Sequence, residues 1–470
     1  MKKSILKNLL VIIFVILSAC FCFGCGYLAA GVGGSAVSTD KFSTLESVYD
    51  YMLNDFYYGQ NNKEYEDKLI NDAIKGMVNA QGDIHTEYMT TDELAQFTGS
   101  LESSFVGIGV TYREIDGKIF VANVVRSSPA ESAGVVAGDY IVAIDGTELN
   151  EDNIEEMAQS IKGKAGTTVT ITILRGSQKF DIDIVRDVIS NTVFSEIKDG
   201  IGILSITSFS DGTGEELANH LKYLKENNVT KLIIDLRDNT GGYASTLDTI
   251  SSYFMEKGAV IMREYDRDGK EYVDYAKGGD KYSYDKIIIL TNDYSASCSE
   301  VFTLAMKENC NAITVGETTY GKGVAQITKV FRDGSALKYT DLIWKSGNNV
   351  FIGGVGIQPD YPVRLHEALY LSQMVMEDDE TYQYDNVSTK IADMQTMLDF
   401  LGYDVDRCDG YFSLQTKQAL MQFQNAEGLS ENGILSEECA NALNSSVIRY
   451  WSEQRDILDT QMIKALELMK

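Results

Sequence analysis

Two short runs in the second half of the chain gather residue types able to do nucleophilic chemistry. The first is Ser295-Ala296-Ser297-Cys298-Ser299-Glu300. The second is Tyr320-Gly321-Lys322-Gly323-Val324-Ala325-Gln326. The serine run follows the apolar stretch KIIILTN and opens a helix-like stretch, so it falls at a strand-to-helix turn. Backbone N–H groups at a helix start lack intrahelical partners and point outward, where they can stabilise an oxyanion. A serine in such a place needs a base. The chain has three histidines, His85, His220 and His366, and none lies near the run. A lysine serves instead when burial lowers its pKa, because desolvation disfavours the ammonium form. Lys322 stands between two glycines, which lets it approach another backbone closely. By residue type alone Ser295, Ser297 and Ser299 are all candidate nucleophiles.

Three other patterns fail on their own chemistry. Gly316 to Gly323 has the spacing of a phosphate-binding loop, but Gly323 stands where a Ser or Thr hydroxyl must bind Mg²⁺. Ser195 and Lys198 form a bare SxxK without the supporting elements of penicillin-recognising enzymes. Asp404, Asp406 and Asp409-Gly410 suggest a calcium loop, but Cys408 stands at the fifth position, which needs an oxygen ligand, and Gln415 at the twelfth, which needs Glu.

The elements that must hold the two runs in place are legible as strands and helices in alternation. Over residues 200–366, GIGILSITSF, KLIIDLRDN and KIIILTN read as strands. EELANHLKYLKENN reads as an amphipathic helix, and Thr240-Gly241-Gly242 as a turn. Near-continuous apolar strands predict a parallel or mixed sheet covered by helices. Residues 101–186 are different, with short β-rich runs between turn residues and a single helix-like stretch. Residues 40–98 look helical. Residues 376–388 are acidic and poor in apolar side chains, as a linker is. Residues 390–444 read as three short helices, and 446–470 as a helix with Ile457, Met462, Leu466 and Met469 on one face.

Composition narrows the partners. The 470 residues carry 69 Asp and Glu against 41 Lys and Arg, a formal net charge of −28. Such a chain is repelled by phosphate backbones, so nucleic acid is not an expected partner. At the N-terminus Lys2, Lys3 and Lys7 precede an uncharged run from Asn8 to Gly34, long enough to cross a bilayer of about 30 Å. We expect a single-pass anchor in the cell membrane, with the rest of the chain on the extracytoplasmic side. The rivals are a lipoprotein, with Leu17-Ser18-Ala19-Cys20 as a lipobox and Cys20 lipidated, and a cleaved signal peptide. Cys20, Cys22 and Cys25 fall in this segment. Of the four others, Cys408 and Cys439 are candidates to pair; the alternative is free buried thiols.

Residues 101–186 resemble a PDZ domain, by the order Phe105-Val106-Gly107-Ile108-Gly109-Val110, Ser128-Pro129-Ala130, Gly138-Asp139-Tyr140-Ile141 and Ile144-Asp145-Gly146. The resemblance implies a peptide-binding loop, Phe105, Val106, Gly107 and Ile108, whose amides receive a C-terminal carboxylate while the peptide adds to a sheet edge. Residues 390–444 resemble a peptidoglycan-binding module, through Leu401-Gly402-Tyr403, Asp409-Gly410-Tyr411-Phe412 and Asn432-Gly433. Its Ser413 and Cys439 depart from the usual pattern.

The chain past the N-terminal segment resembles the C-terminal processing peptidases, or tail-specific proteases. The match runs through the PDZ domain, DLRDNTGG, SASCSE, GETTYGKGVAQ, GIQPDYPV and the closing DTQMIKALELMK. The resemblance implies an α+β multidomain fold: a PDZ β-rich domain, a mixed α/β serine protease core (crotonase-like), a small three-helix C-terminal module and an N-terminal transmembrane helix. The implied segments are 1–34 (anchor), 35–98 (helical), 99–186 (PDZ), 187–375 (protease core), 376–389 (linker), 390–445 (peptidoglycan-binding-like) and 446–470 (C-terminal helix). It implies Ser297 as nucleophile, Lys322 as base and Gln326 orienting the lysine amine. An oxyanion hole would come from the Cys298 N–H and a glycine of Gly241-Gly242. Arg186 is the nearest match to a residue coupling the PDZ domain to the active site. No metal or nucleotide cofactor is implied. Expected partners are proteins or peptides with apolar C-termini, the cytoplasmic membrane, peptidoglycan, and a second copy of the chain in a homodimer. A non-catalytic PDZ adaptor and a hydrolase of peptidoglycan cross-link peptides are the competing functions.

Overall fold

The computed structural model describes residues 42–470, apart from 61, 102–104, 116, 126–127, 177 and 190–191. The described chain divides into two compact units, one ending at Thr90 and the other running from Thr91 to Lys470. The first contains the helices Ser43–Asn54 and Lys63–Asn79. Phe42, Leu45, Val48 and Tyr51 are exposed along the first of these.

The second unit is built on a six-stranded sheet. Its order is Val193–Lys198, Ile201–Ile206, Lys231–Asp235, Lys286–Thr291, Ile313–Gly316 and Tyr361–Pro362. The first pair is antiparallel and the rest are parallel. The unbroken apolar runs follow from burial of both faces. Leu232, Ile234, Ile287 and Ile289 pack with Leu217, Leu221, Phe302 and Ala305 of the helices Thr213–Glu226 and Cys298–Cys310. Ile233, Ile288, Leu290 and Val315 pack on Ala465 and Met469 of the C-terminal helix Thr460–Met469. A smaller antiparallel sheet contains Val260–Asp266, Glu271–Tyr275, Val324–Val330 and Ala336–Ser346.

Residues 105–189 form a β-rich domain around Ile108, Ile119, Val121, Ile141, Ile171 and Ile184. Its main sheet runs Val110–Ile115, Lys118–Val124, Tyr140–Ile144, Thr168–Arg175, Gln178–Val185, leaving Val110–Ile115 at an edge. The three C-terminal helices are Thr389–Phe400, Leu414–Ala426 and Glu437–Glu453. The last is a shared element. One face (Cys439, Ala440, Leu443, Val447) fills the module core. The other meets the β-rich domain at steps of four residues. Glu437 lies 3.7 Å from Lys118, Asn441 Oδ1 accepts from Tyr140 Oη at 3.5 Å, and the Ser445 carbonyl lies against Gly138.

Several expectations change. The acidic stretch 376–388 is held in place: Met376 is buried in the module core, and Tyr382 and Leu435 exchange backbone hydrogen bonds. The tail is not one helix. The third module helix runs on to Glu453, and a new helix starts at Thr460, capped by Asp459 Oδ1 on Met462 N–H. Ile457 is therefore exposed rather than on the packed face. Cys298, Cys310, Cys408 and Cys439 are all free, with Cys439 buried and Cys408 exposed. The anchor read over 1–34, with Cys20, lies outside the described residues. A span takes about 20 consecutive apolar residues, and no helix among the described residues is long and apolar enough to cross a membrane. The cell-membrane localisation read from the sequence is corrected accordingly, since none of the helices among the described residues could carry it.

Candidate active site

Three segments leave the carboxyl ends of three adjacent parallel strands, where ligand crevices form in α/β sheets. Lys231–Asp235 leads into the turn 236–242. Lys286–Thr291 leads into the serine run, and Ile313–Gly316 into the lysine run.

The structure separates the three serines. Ser295 is buried; its Oγ donates to the Leu236 carbonyl (2.8 Å) and accepts from Asn292 N–H (3.0 Å). Ser299 is fully buried and donates to the Asn239 carbonyl at 2.8 Å. Ser297 is only half-buried. It is the N-cap of the helix Cys298–Cys310, with φ +56° and ψ −117°. A non-glycine residue at positive φ is strained and persists where its surroundings hold it, commonly at functional turns.

What holds it is Glu300, a residue to which the sequence reading gave no role. The Glu300 side chain is fully buried. Its Oε2 accepts the N–H of Ser297 and the N–H of Lys322, both at 2.9 Å. Its Oε1 accepts Gly321 N–H at 2.7 Å and the Thr319 hydroxyl at 2.5 Å. Charge-assisted bonds of this kind are about twice as strong as neutral ones. One carboxylate thus fixes both runs. The signal was in the sequence, since Ser297-x-x-Glu300 has capping-box spacing. Lys322 is also held from its other side, because Trp344 Nε1–H donates to its carbonyl at 2.8 Å. The flanking glycines are needed for close approach. A Cβ on Gly321 would stand 2.7 Å from Gly356 N, and one on Gly323 2.8 Å from Gly353 N. Gln326 lies on the strand Val324–Val330 and donates from Nε2 to Thr340 Oγ1 at 3.2 Å.

The glycine turn packs against the start of the serine helix. A Cβ on Gly241 would be 2.9 Å from Ser297 Cβ and 3.0 Å from Cys298 N. The two glycines differ in the state of their amides. Gly241 N–H donates to Asn239 Oδ1 at 2.9 Å. Among the described residues, Gly242 N–H and Cys298 N–H have no oxygen acceptor. The Cys298 thiol sits on the Gly242 carbonyl at 3.4 Å, and burial pushes it up to about 11. It therefore stays a neutral thiol at physiological pH.

The remaining candidates lie elsewhere. Phe105–Gly107 is a short strand paired with Asp187–Ile189, and Ile108 is buried. Arg186 is buried within the β-rich domain. Its guanidinium donates to the carbonyls of Ser160, Ile161 and Thr168 and to Thr167 Oγ1. Ser195 and Lys198 are three apart on one strand, so they point to opposite faces; Ser195 Oγ meets His220 Nδ1 at 2.7 Å.

Three family descriptions match the chain: a PDZ domain at residues 106–185, peptidase family S41 at 200–363, and a putative peptidoglycan binding domain at 388–443. Fold and site are those of a serine endopeptidase with a PDZ domain and a C-terminal helical module. The carboxy-terminal processing protease CtpA of Bacillus subtilis (strain 168) is 34% identical over 444 residues, 94% of this chain and 92% of that one. A probable CtpA-like serine protease of Staphylococcus haemolyticus (strain JCSC1435) is 32% identical over 421 residues, 89% of this chain and 84% of that one. A solved structure, the photosystem II D1 C-terminal processing protease, aligns with TM-score 0.44 and 22% identity over 68% of this chain and 87% of that one. The chain belongs to the CtpA-like carboxy-terminal processing proteases of peptidase family S41.

Proposed function

We propose that this endopeptidase works through a Ser297–Lys322 centre on proteins recognised by their C-terminal tails. Ser297 Oγ attacks the scissile carbonyl as the neutral Lys322 amine takes its proton. The tetrahedral oxyanion is received by the N–H groups of Cys298 and Gly242. Collapse expels the amine product, protonated by Lys322, and water hydrolyses the acyl-enzyme. Gln326 borders the lysine run and serves to orient the amine. The observation that carries this reading is the Glu300 carboxylate, which holds the backbones of Ser297 and Lys322 together. The commitment of Ser295 and Ser299 to backbone carbonyls supports Ser297 over them. Backbone donors aimed at developing charge contribute about 10²–10³-fold each in comparable enzymes.

The edge strand Val110–Ile115 of the PDZ domain takes an apolar C-terminal tail as an added strand. The C-terminal module brings peptidoglycan as a second partner. The exposed Phe42, Leu45, Val48 and Tyr51 serve a homodimer contact, read out by light scattering of the purified protein beside a Leu45→Asp, Val48→Asp variant. The test of the centre is cleavage of a denatured protein with an apolar C-terminus, from pH 6 to 10, by wild type, Ser297→Ala and Lys322→Ala. Loss of activity in both variants is expected. Activity retained by Ser297→Ala overturns the assignment.

A further inference from the structure

We propose that Asp459 and Gln461, at the head of the C-terminal helix, are positioning residues of the protease that act through Arg237 on the oxyanion turn. This rests on the oxyanion reading of Gly242 given above. Arg237 follows the strand Lys231–Asp235 and opens the turn that ends in Gly241-Gly242. Its guanidinium has five N–H donors; four are in hydrogen bonds, and the fifth faces Asp459 Oδ2 as an ion pair outside hydrogen-bond geometry. Nε donates to Asp235 Oδ1 (2.9 Å) and Nη2 to Asp235 Oδ2 (2.7 Å). Nη1 donates to Asp459 Oδ1 (2.9 Å) and to Gln461 Oε1 (3.0 Å), and Nη2 meets Asp459 Oδ2 at 2.9 Å. The assembly is buried, with Asp235 at 7%, Asp459 at 2% and Gln461 at 0% exposure. Arg455 closes its outer side, 3.6 Å from Asp459 and 3.9 Å from Asp235. Half of the clamp on Arg237 therefore comes from residues more than 200 positions away.

The start of the turn is also held at Leu236, whose N–H donates to the Leu290 carbonyl (3.0 Å) and whose carbonyl accepts from Ser295 Oγ (2.8 Å); Arg237 is the next link. Asp238 has φ +62°, and its N–H donates to Asn292 Oδ1 at 2.9 Å. Asn239 then ties the turn to the serine run, its carbonyl accepting from Ala296 N–H (3.0 Å) and Ser299 Oγ (2.8 Å). The turn runs from Arg237 to the serine helix, held between them by Asn292 on Asp238 and by the Ile206 carbonyl, which accepts from Asn239 Nδ2 at 2.7 Å. A buried guanidinium that loses one carboxylate keeps donors without acceptors and moves to find new ones. Movement of Arg237 shifts Gly242 N–H relative to Cys298 N–H, which the transition state feels more than the bound substrate does.

The experiment compares purified wild type, Asp459→Asn, Gln461→Met and Ser297→Ala. It measures kcat and KM on a peptide with an apolar C-terminus, affinity for a peptide aldehyde that forms a tetrahedral adduct, and thermal melting. In folded Asp459→Asn we expect kcat to fall by about tenfold or more with KM within about twofold, and aldehyde affinity to fall in parallel with kcat. Gln461→Met, which keeps the ion pair, shows the same pattern to a smaller degree, and it carries the test if Asp459→Asn does not fold. A folded variant with wild-type kcat, or with kcat lost and aldehyde affinity unchanged, overturns the proposal. Activity in Ser297→Ala marks failure of the catalytic assignment instead, which is read separately.

Discussion

Glu300 accepts the backbone N–H of Lys322 at 2.9 Å through the same oxygen that accepts the N–H of Ser297 at 2.9 Å. The two runs most able to do chemistry are thus referenced to one buried anion. That carboxylate sets the two backbones relative to one another through their N–H groups alone.

That arrangement predicts the outcome of Glu300→Gln. The amide keeps one acceptor oxygen and turns an NH₂ toward N–H groups that need acceptors. Unsatisfied buried donors cost about 1–3 kcal/mol each, so the variant unfolds at lower urea concentration. We expect kcat to fall by about a hundredfold or more in the folded fraction. Glu300→Gln with wild-type kcat and wild-type urea midpoint removes the carboxylate from its organising role.

Gly241→Ala acts from the opposite wall. Its Cβ would stand 2.9 Å from Ser297 Cβ and 3.0 Å from Cys298 N, at a φ of +103°. Real Cβ atoms do not sit that close, so the turn and the serine helix must separate. We expect loss of about 10²-fold or more in kcat, the scale of a lost oxyanion donor. Steady-state kinetics beside circular dichroism distinguishes this from unfolding.

Glu264 gives a pH signature. Burial, with Asp274 and Asp341 facing it, pushes its carboxyl up to about 7. The folded state therefore holds a proton that the unfolded state releases near the ordinary carboxylate range. Stability falls as pH rises from about 4.5 to about 7 and is level above that. Glu264→Gln removes the cost. Its melting temperature should exceed that of wild type at pH 8, with the gain gone at pH 4.5. An equal gain at both pH values counts against a titrating Glu264.

Gly138→Ala probes the contact between the PDZ domain and the C-terminal module. The new Cβ would lie 2.5 Å from the Ser445 carbonyl, at a φ of +91°. The PDZ domain must give way from the helix Glu437–Glu453. Hydrogen exchange should rise by about tenfold or more at amides around Asn441–Arg449 while the protease sheet keeps its protection. Unchanged exchange along that helix means that the contact does not hold the two together.

Parts of this were readable beforehand, and the reasons differ from residue to residue. Strands such as Lys231–Asp235 and Lys286–Thr291 announce themselves because both faces are buried, which leaves no polar alternation. The turn at Gly241-Gly242 was legible because only glycine fits where a Cβ would strike Ser297 or the Phe209 carbonyl. The break before Thr460 was missed, although Asp459 is a good N-cap, because the apolar pattern continues across it. Glu300 was missed because burial of a carboxylate shows only when its four donors have converged.

The sequence by itself determined the chemistry on offer and its local setting: serines at a helix start, a lysine between glycines, no nearby histidine, and apolar strands calling for cover on both faces. These are properties of adjacent residues, carried by spacing and backbone preference. The tertiary structure decided which serine is left half-buried, which glycine amide has no oxygen acceptor, and that Arg237 is clamped from the far end of the chain. Each of those choices depends on where hydrogen-bond donors and acceptors distant in sequence come to rest. A buried polar group takes the partner that folding brings to it, and that partner is set by the packing of the sheet and its two covering layers.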